Sequence, residues 1–241
     1  MKLGFTRGGL VLSVPLMRLP NKPPDLPDDV MLRMDDEKLM KDLKNYLLDY
    51  VVEKLMSMYE LAVNLQCTTE VTLGDGSRFY KQATVVNMQH DKSKIKIGRN
   101  THIRGELLVF PYGGEIQIGD VCYIGDGTRL WCGEKIVIGN HVAIAHNVNI
   151  IDHAHESNHL ERAAGIERIL TRGHPEIKGN IPSAPIIIED YVAIYPNSNI
   201  SRGVRIGEGA IISAGSVVLG DVPPFTLMSG NPARPMMNLK N

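Results

Sequence analysis

The sequence predicts a mainly β protein: a parallel β-helix of triangular cross-section, with a helical segment before it and one long loop thrown out of it. Three observations carry that prediction. Aliphatic side chains recur at every sixth position. Small or β-branched residues follow them four positions later. The recurrence also breaks off at Ile150 and resumes only at Ile186.

The repeat is clearest in the C-terminal half, at Ile188, Ile194, Ile200, Ile206, Ile212 and Val218. Val192, Ser198, Val204, Ala210 and Ser216 follow the first five by four residues. The same grid runs earlier through Ile118, Ile124, Leu130 and Ile136, slips by two residues, and continues at Ile138, Ile144 and Ile150, with Ile97 and Ile103 opening it. Three such hexads close one triangular coil. Each aliphatic residue points inward and stacks on its counterpart in the next coil, while Gly and Asn can take positive φ at the corners. Stability then comes from neighbouring coils, as in other solenoids. A β-sandwich would instead show period two with turns every eight to twelve residues.

The chain divides into three expected parts. Residues 1–82 hold a Pro- and Asp-rich linker over 18–34, a helix from about Asp36 to Leu65, and a short strand pair around the turn Gly74-Asp75-Gly76. Leu39, Leu43, Leu47, Tyr50, Val51, Leu55, Met58 and Ala62 give the helix one apolar stripe, and Asp35 and Asp36 suit its N-terminal end. Residues 83–236 are the solenoid with its loop, 152–185, and residues 237–241 are a tail. Within the loop, the stretch HLERAAGIERIL reads as a short helix.

The 241 residues carry a formal charge of −1, with 43% hydrophobic and 22% charged side chains. That balance gives no sign of a nucleic-acid surface or a polybasic membrane anchor. No apolar run reaches the length of a membrane span. Lys2 and Arg7 precede a short apolar run, but Arg18 follows quickly and no cleavage site appears, so an export signal is not expected. Three cysteines without close spacing argue against a disulfide framework and for a reducing compartment, here the cytoplasm.

Long loops thrown from a regular scaffold are the usual place for function. The loop here carries His153, His155, His159 and His174, half the histidines of the chain. The stretch leading into it, VIGNHVAIAHNVNIIDHAH, resembles the coil of the hexapeptide-repeat acetyltransferases that ends at their catalytic histidine. That family includes galactoside, maltose and polysaccharide O-acetyltransferases. The tail DVPPFTLMSGNPARPM and the string ISAGSVV are similar to the family's closing signature and to the coil beside the pantetheine arm of CoA.

The resemblance covers about residues 85–236 and implies a left-handed β-helix. It also implies an O-acetyltransferase that uses acetyl-CoA as co-substrate, transfers directly in a ternary complex to a sugar or polysaccharide hydroxyl, and works as a homotrimer with sites between subunits. Aligned without gaps, the catalytic histidine falls on His155, with His153 the competing position. The CoA surface falls on Ala193, Tyr195, Ser213, Ala214, Gly215 and Arg234, and the acceptor pocket on Asn147 and Glu156. The chain departs from the pattern at Val192-Ala193-Ile194-Tyr195, where the family often has Val-Trp-Ile-Gly, and its loop is longer than in the simplest members.

A neutral imidazole is suited to take the proton of an attacking hydroxyl near neutral pH, an effect of roughly 10²–10⁴-fold. Asp152 and Glu156 are both near enough in sequence to orient it. Asn147 has a second reading, as a corner residue with positive φ. Two other functions stay open. One is metal catalysis through His141 and His146, on the pattern of the γ-class carbonic anhydrases, which needs a third ligand from a neighbouring chain; no metal is expected. The other is a non-catalytic scaffold.

Overall fold

The computed structural model describes residues 2–6, 9–15, 29–33 and 37–240. They form two compact units, residues 1–58 and 59–241.

In the first unit, Lys2–Thr6, Gly9–Pro15 and Asp29–Arg33 make an antiparallel three-stranded sheet that the sequence reading did not foresee. Most of the expected linker lies outside the described residues, and its last stretch, Asp29–Arg33, is a strand rather than a linker. Helix α1 spans Glu37–Thr69, four residues beyond the expected end at Leu65.

In the second unit the end of the helix is held by packing. Cys67 is buried, Val63 lies against the core, and the side-chain oxygen of Asn64 accepts the N–H of Phe79 at 2.9 Å. The strand pair expected near Gly74 is absent as such. Thr72–Leu73 pairs in parallel with Lys96–Ile97, and Arg78–Phe79 pairs in parallel with His102–Ile103. These residues are therefore the first coil, and the solenoid starts near residue 72 instead of 83.

The β-helix has three parallel faces. The first runs from Thr72–Leu73 through Ile136–Ile138 to Arg205–Ile206. The second runs from Arg78–Phe79 through Ala143–Ile144 to Ile211–Ile212, and ends in the antiparallel pair Thr226–Gly230 and Ala233–Asn238. The third contains Glu106–Val109, Arg129–Cys132, Asn149–Ile151 and Asn199–Ile200. The last strand takes Met237 and Asn238 out of the expected tail.

Every aliphatic residue of the hexad grid is buried, and so are the five small followers. The two-residue slip lies within one strand: Ile136 and Ile138 both face inward on it, with partners Ile116 and Ile118 below and Ile186 and Ile188 above.

The recurring Ile-Gly pairs have a physical reason. At the corner between the first and second faces, the Asp120 carboxylate accepts the N–H of Arg99 at 2.7 Å. Asn140 accepts the N–H of Asp120 at 2.9 Å, and Asp190 accepts that of Asn140 at 2.7 Å. A Cβ on Gly139 would lie 2.2 Å from the Asp190 oxygen, so the ladder requires glycine beneath each capping side chain.

Candidate active site

Three strands of the third face deliver the site at their C-terminal ends, where the chain turns toward the first face. Glu106–Val109 leads into Phe110 and Tyr112, Arg129–Cys132 into the corner Gly133–Lys135, and Asn149–Ile151 into Asp152 and His153. Phe110 is nearly buried. Tyr112 stacks on it at 5.2 Å between ring centroids, and His153 and His174 meet it edge-on at 4.7 and 4.9 Å.

Asp152 is fully buried and its carboxylate is saturated with donors. The backbone N–H groups of Gly133, Glu134 and Lys135 donate to it at 2.7, 2.8 and 2.8 Å, and the Cys132 thiol at 3.2 Å. Its Oδ1 lies 3.2 Å from Nδ1 of His153. Burial pushes the Asp152 carboxyl up, but the hydrogen bonds from His153, from the Gly133 and Glu134 amides and from Cys132 outweigh it and hold the group below the usual carboxylate range. Burial, then the Asp152 charge, pushes the Cys132 thiol up. Burial, then the neighbouring His153, lowers His174.

The loop 152–185 closes over this corner and is tied down at both ends. Ala154 donates to the carbonyl of Pro182 at 2.9 Å, and Ala184 donates to that of Asp152 at 2.9 Å. Glu134 accepts from Lys178 at 3.0 Å and from the Ser183 hydroxyl. Helix α2, His159–Arg172, covers the expected helical stretch; Asn158 caps it by accepting the N–H of Leu160 at 2.8 Å, and Gly173 ends it at φ 83°. Between loop and scaffold lies a cavity of about 120 Å³, lined among others by Phe110, Trp131, His153, Glu156, Ile169 and His174.

The expected site residues separate into groups. Asp152 pairs with His153, not with His155. His155 is exposed at the cavity rim. Glu156 also lines the cavity, its carboxylate beside Gly165 of α2. Asn147 stands elsewhere, at φ 57° on the corner between the second and third faces.

Ala193, Tyr195, Ser213, Ala214, Gly215 and Arg234 form one strip on the second face and that same corner. Tyr195 donates its N–H to Ile212, Ser213 to Met228, and Gly215 to Pro196, each at 2.9 Å, and Arg234 is paired across from Ser229. Within one chain this strip and the Asp152–His153 pair thus lie at different corners of the prism. His141 and His146 also part company: His141 stacks on Tyr191 at the corner of the first and second faces, and His146 sits at the next corner. They do not form a shared ligand pair.

Phe110, Tyr112, Trp131 and the Gly133–Lys135 amides were not assigned chemistry from sequence. Their one sequence trace is the loss of the hexad at Pro111–Glu115 and the two-residue slip at Ile136.

Residues 185–220 match the family described as bacterial transferase hexapeptide (six repeats). The solenoid is a hexapeptide-repeat, left-handed β-helix. Its fold is shared with AntD, an N-acyltransferase from Bacillus cereus in complex with dTDP and 3-hydroxybutyryl-CoA, at TM-score 0.58 and 22% identity over 73% of this chain and 87% of that one. A mutant AntD in complex with dTDP-4-amino-4,6-dideoxyglucose and Coenzyme A gives TM-score 0.59 at 22% identity, over 73% and 88% of the two chains.

A curated relative, 2,3,4,5-tetrahydropyridine-2,6-dicarboxylate N-acetyltransferase of Staphylococcus aureus (strain bovine RF122 / ET3-1), is 54% identical over 54 residues, 22% of this chain and 23% of its own length. The match thus spans about a quarter of such relatives. Among the described residues, no helix is long and apolar enough to cross a membrane.

Proposed function

We propose that the protein is a CoA-dependent acyltransferase that moves an acetyl group from acetyl-CoA to a sugar hydroxyl, with His153 as general base and Asp152 as its positioning residue. The observation that carries this is the 3.2 Å contact between His153 Nδ1 and a buried, donor-saturated carboxylate. An ionised Asp152 accepts a hydrogen bond from an N–H at Nδ1 of His153, which leaves the lone pair on Nε2. That nitrogen takes the hydroxyl proton as the oxygen attacks the thioester carbonyl, and returns it to the departing CoA sulfur. His155, exposed and without that support, serves the rim of the acceptor cavity beside Glu156.

Acetyl-CoA, when bound, supplies the activated acyl group. The strip Ala193, Tyr195 and Ser213–Gly215 is suited to its pantetheine arm, since adjacent coils there present a shallow exposed edge, and Arg234 is suited to a phosphate. The AntD complexes with CoA and acyl-CoA on the same fold are consistent with this. Because strip and histidine occupy different corners of one prism, a neighbouring copy would have to supply the facing wall. A homotrimer with three equal sites meets that need.

Acyl transfer to an amine is the second reading. It is favoured by the names of the relatives, N-acetyltransferases and an N-acyltransferase. The test for both is thiol release from acetyl-CoA with matched acceptors, a sugar and its amino-sugar counterpart. Release with the sugar supports O-transfer, and release with the amino sugar alone moves the assignment to nitrogen. No release with either, and no CoA binding by calorimetry, would leave only a scaffold.

A further inference from the structure

Among the described residues, one buried side-chain polar atom has no hydrogen-bond partner: the indole Nε1–H of Trp131. Trp131 lies on the third face between Leu108 and Ile151, with Leu130 and Cys132 pointing into the core on either side of it. Its indole therefore projects outward, under the inserted loop, and it lines the same cavity as Phe110, His153 and His174.

An indole nitrogen is a donor only. Native proteins rarely bury such a donor unmet, and an unmet one in a site calls for a ligand as its explanation. In this structure no neighbour accepts from it. Leu108 and Ile151 are aliphatic, Phe110 is aromatic, and the Asp152 carboxylate is already occupied by three amides, a thiol and His153.

The geometry points to Trp131 as a specificity-determining residue whose Nε1–H donates to an oxygen of the bound acceptor. This rests on the acyl-transfer reading above and narrows it. The acceptor must present two oxygens at once, one hydroxyl to His153 and a second oxygen to Trp131, along with a face that packs on the aromatic wall. A polyhydroxylated ring meets all three demands; a simple alcohol of the same size does not. Buried donors built to meet a substrate oxygen reject the analogue that lacks it.

The test uses methyl glycosides of glucose, galactose and N-acetylglucosamine, and mono-deoxy analogues of the best of them. In the wild-type protein, removing the oxygen that Trp131 meets raises KM by about tenfold, the factor expected for one neutral hydrogen bond. Trp131→Phe raises KM for the parent sugar to a similar degree, leaves KM for acetyl-CoA unchanged, and no longer distinguishes parent from analogue. Equal discrimination by both proteins overturns the proposal, as does a change confined to acetyl-CoA.

Trp131 is the only tryptophan in the chain, so its emission reports on the cavity without turnover and without a variant. Titration of the wild-type protein with the sugars, in the absence of acetyl-CoA, shifts that emission saturably if the indole meets them. A shift without acetyl transfer upholds the binding role and defeats the transferase reading. Unchanged emission with every sugar, in a protein that does transfer acetyl groups, defeats the Trp131 assignment alone.

Discussion

Nδ1 of His153 lies 3.2 Å from Oδ1 of Asp152, a carboxylate with no exposure to solvent. Such a carboxylate fixes both the ring orientation and the tautomer of its histidine, and it stabilises the imidazolium that forms during proton transfer. The three amides of Gly133, Glu134 and Lys135 are what make a buried negative charge tolerable there.

Asp152→Asn should therefore lower kcat by about 10²–10⁴-fold with little change in KM, because the amide no longer enforces the tautomer. It should also lower stability by about 1–3 kcal/mol, since the amide NH2 would face N–H donors. Steady-state kinetics and thermal unfolding of the variant check the two effects separately. A fall in stability with unchanged kcat would make Asp152 structural only.

Acid unfolding should carry the mark of the same carboxylate. Asp152 is held below its unfolded value, so its stabilisation is fully present above the ordinary carboxyl pKa of about 4 and is lost as pH falls through the lowered value. Glu134, held down by Ser183 and then Lys178, acts with the same sign but more weakly, being partly exposed. Denaturant unfolding from about pH 6 down to about pH 3 should show a steep loss in the wild-type protein and a flatter one in Asp152→Asn.

The corner ladder predicts a contrast between two glycines. Gly139→Ala places a Cβ 2.2 Å from the Asp190 carboxylate and 2.8 Å from its backbone nitrogen. It should cost about 1–3 kcal/mol by forcing the coil to shift. Gly220→Ala meets nothing within 4 Å and should be neutral or slightly stabilising. Equal melting temperatures for the two variants would contradict the steric reading.

The loop clasp should be visible in amide exchange. Lys178→Ala removes one of the two donors to Glu134. It should speed exchange at Ala154 and Ala184, whose amides close the loop base, while leaving Ile194 and Ile212 protected. Uniform acceleration across the solenoid would point to global destabilisation instead.

The coils were legible because each inward side chain repeats one physical demand, a flat aliphatic layer, and Ile188, Ile194 and Ile200 announce it directly. The first coil was missed although Leu73, Phe79 and Val85 stand on the same six-residue grid. Gly74-Asp75-Gly76 signals a turn, but a turn cannot tell a hairpin from a solenoid corner when the pairing partner is more than twenty residues away. The antiparallel sheet near the N-terminus left no such grid.

At the site, Asp152 and His153 were in view, and Asp152 was one of two carboxylates offered to orient the histidine, but what selects this pairing was not legible. It depends on amides of Gly133–Lys135, which come from a different coil and carry no side-chain signature. Phe110 was hidden for the same reason, and Trp131, legible as a residue packed near a corner at the end of a hexad run, carried no sign of chemistry, since outward positions on a coil carry no periodic constraint. Alignment without gaps placed the histidine at His155; the carboxylate contact belongs to its neighbour.

Thiol release from acetyl-CoA with a sugar acceptor, followed for His153→Ala and His155→Ala side by side, tests the central claim most directly. His153→Ala should depress kcat by about 10²–10⁴-fold while CoA binding persists, and His155→Ala should retain most of the turnover. Loss of turnover in His155→Ala with retention in His153→Ala would contradict the assignment of the base.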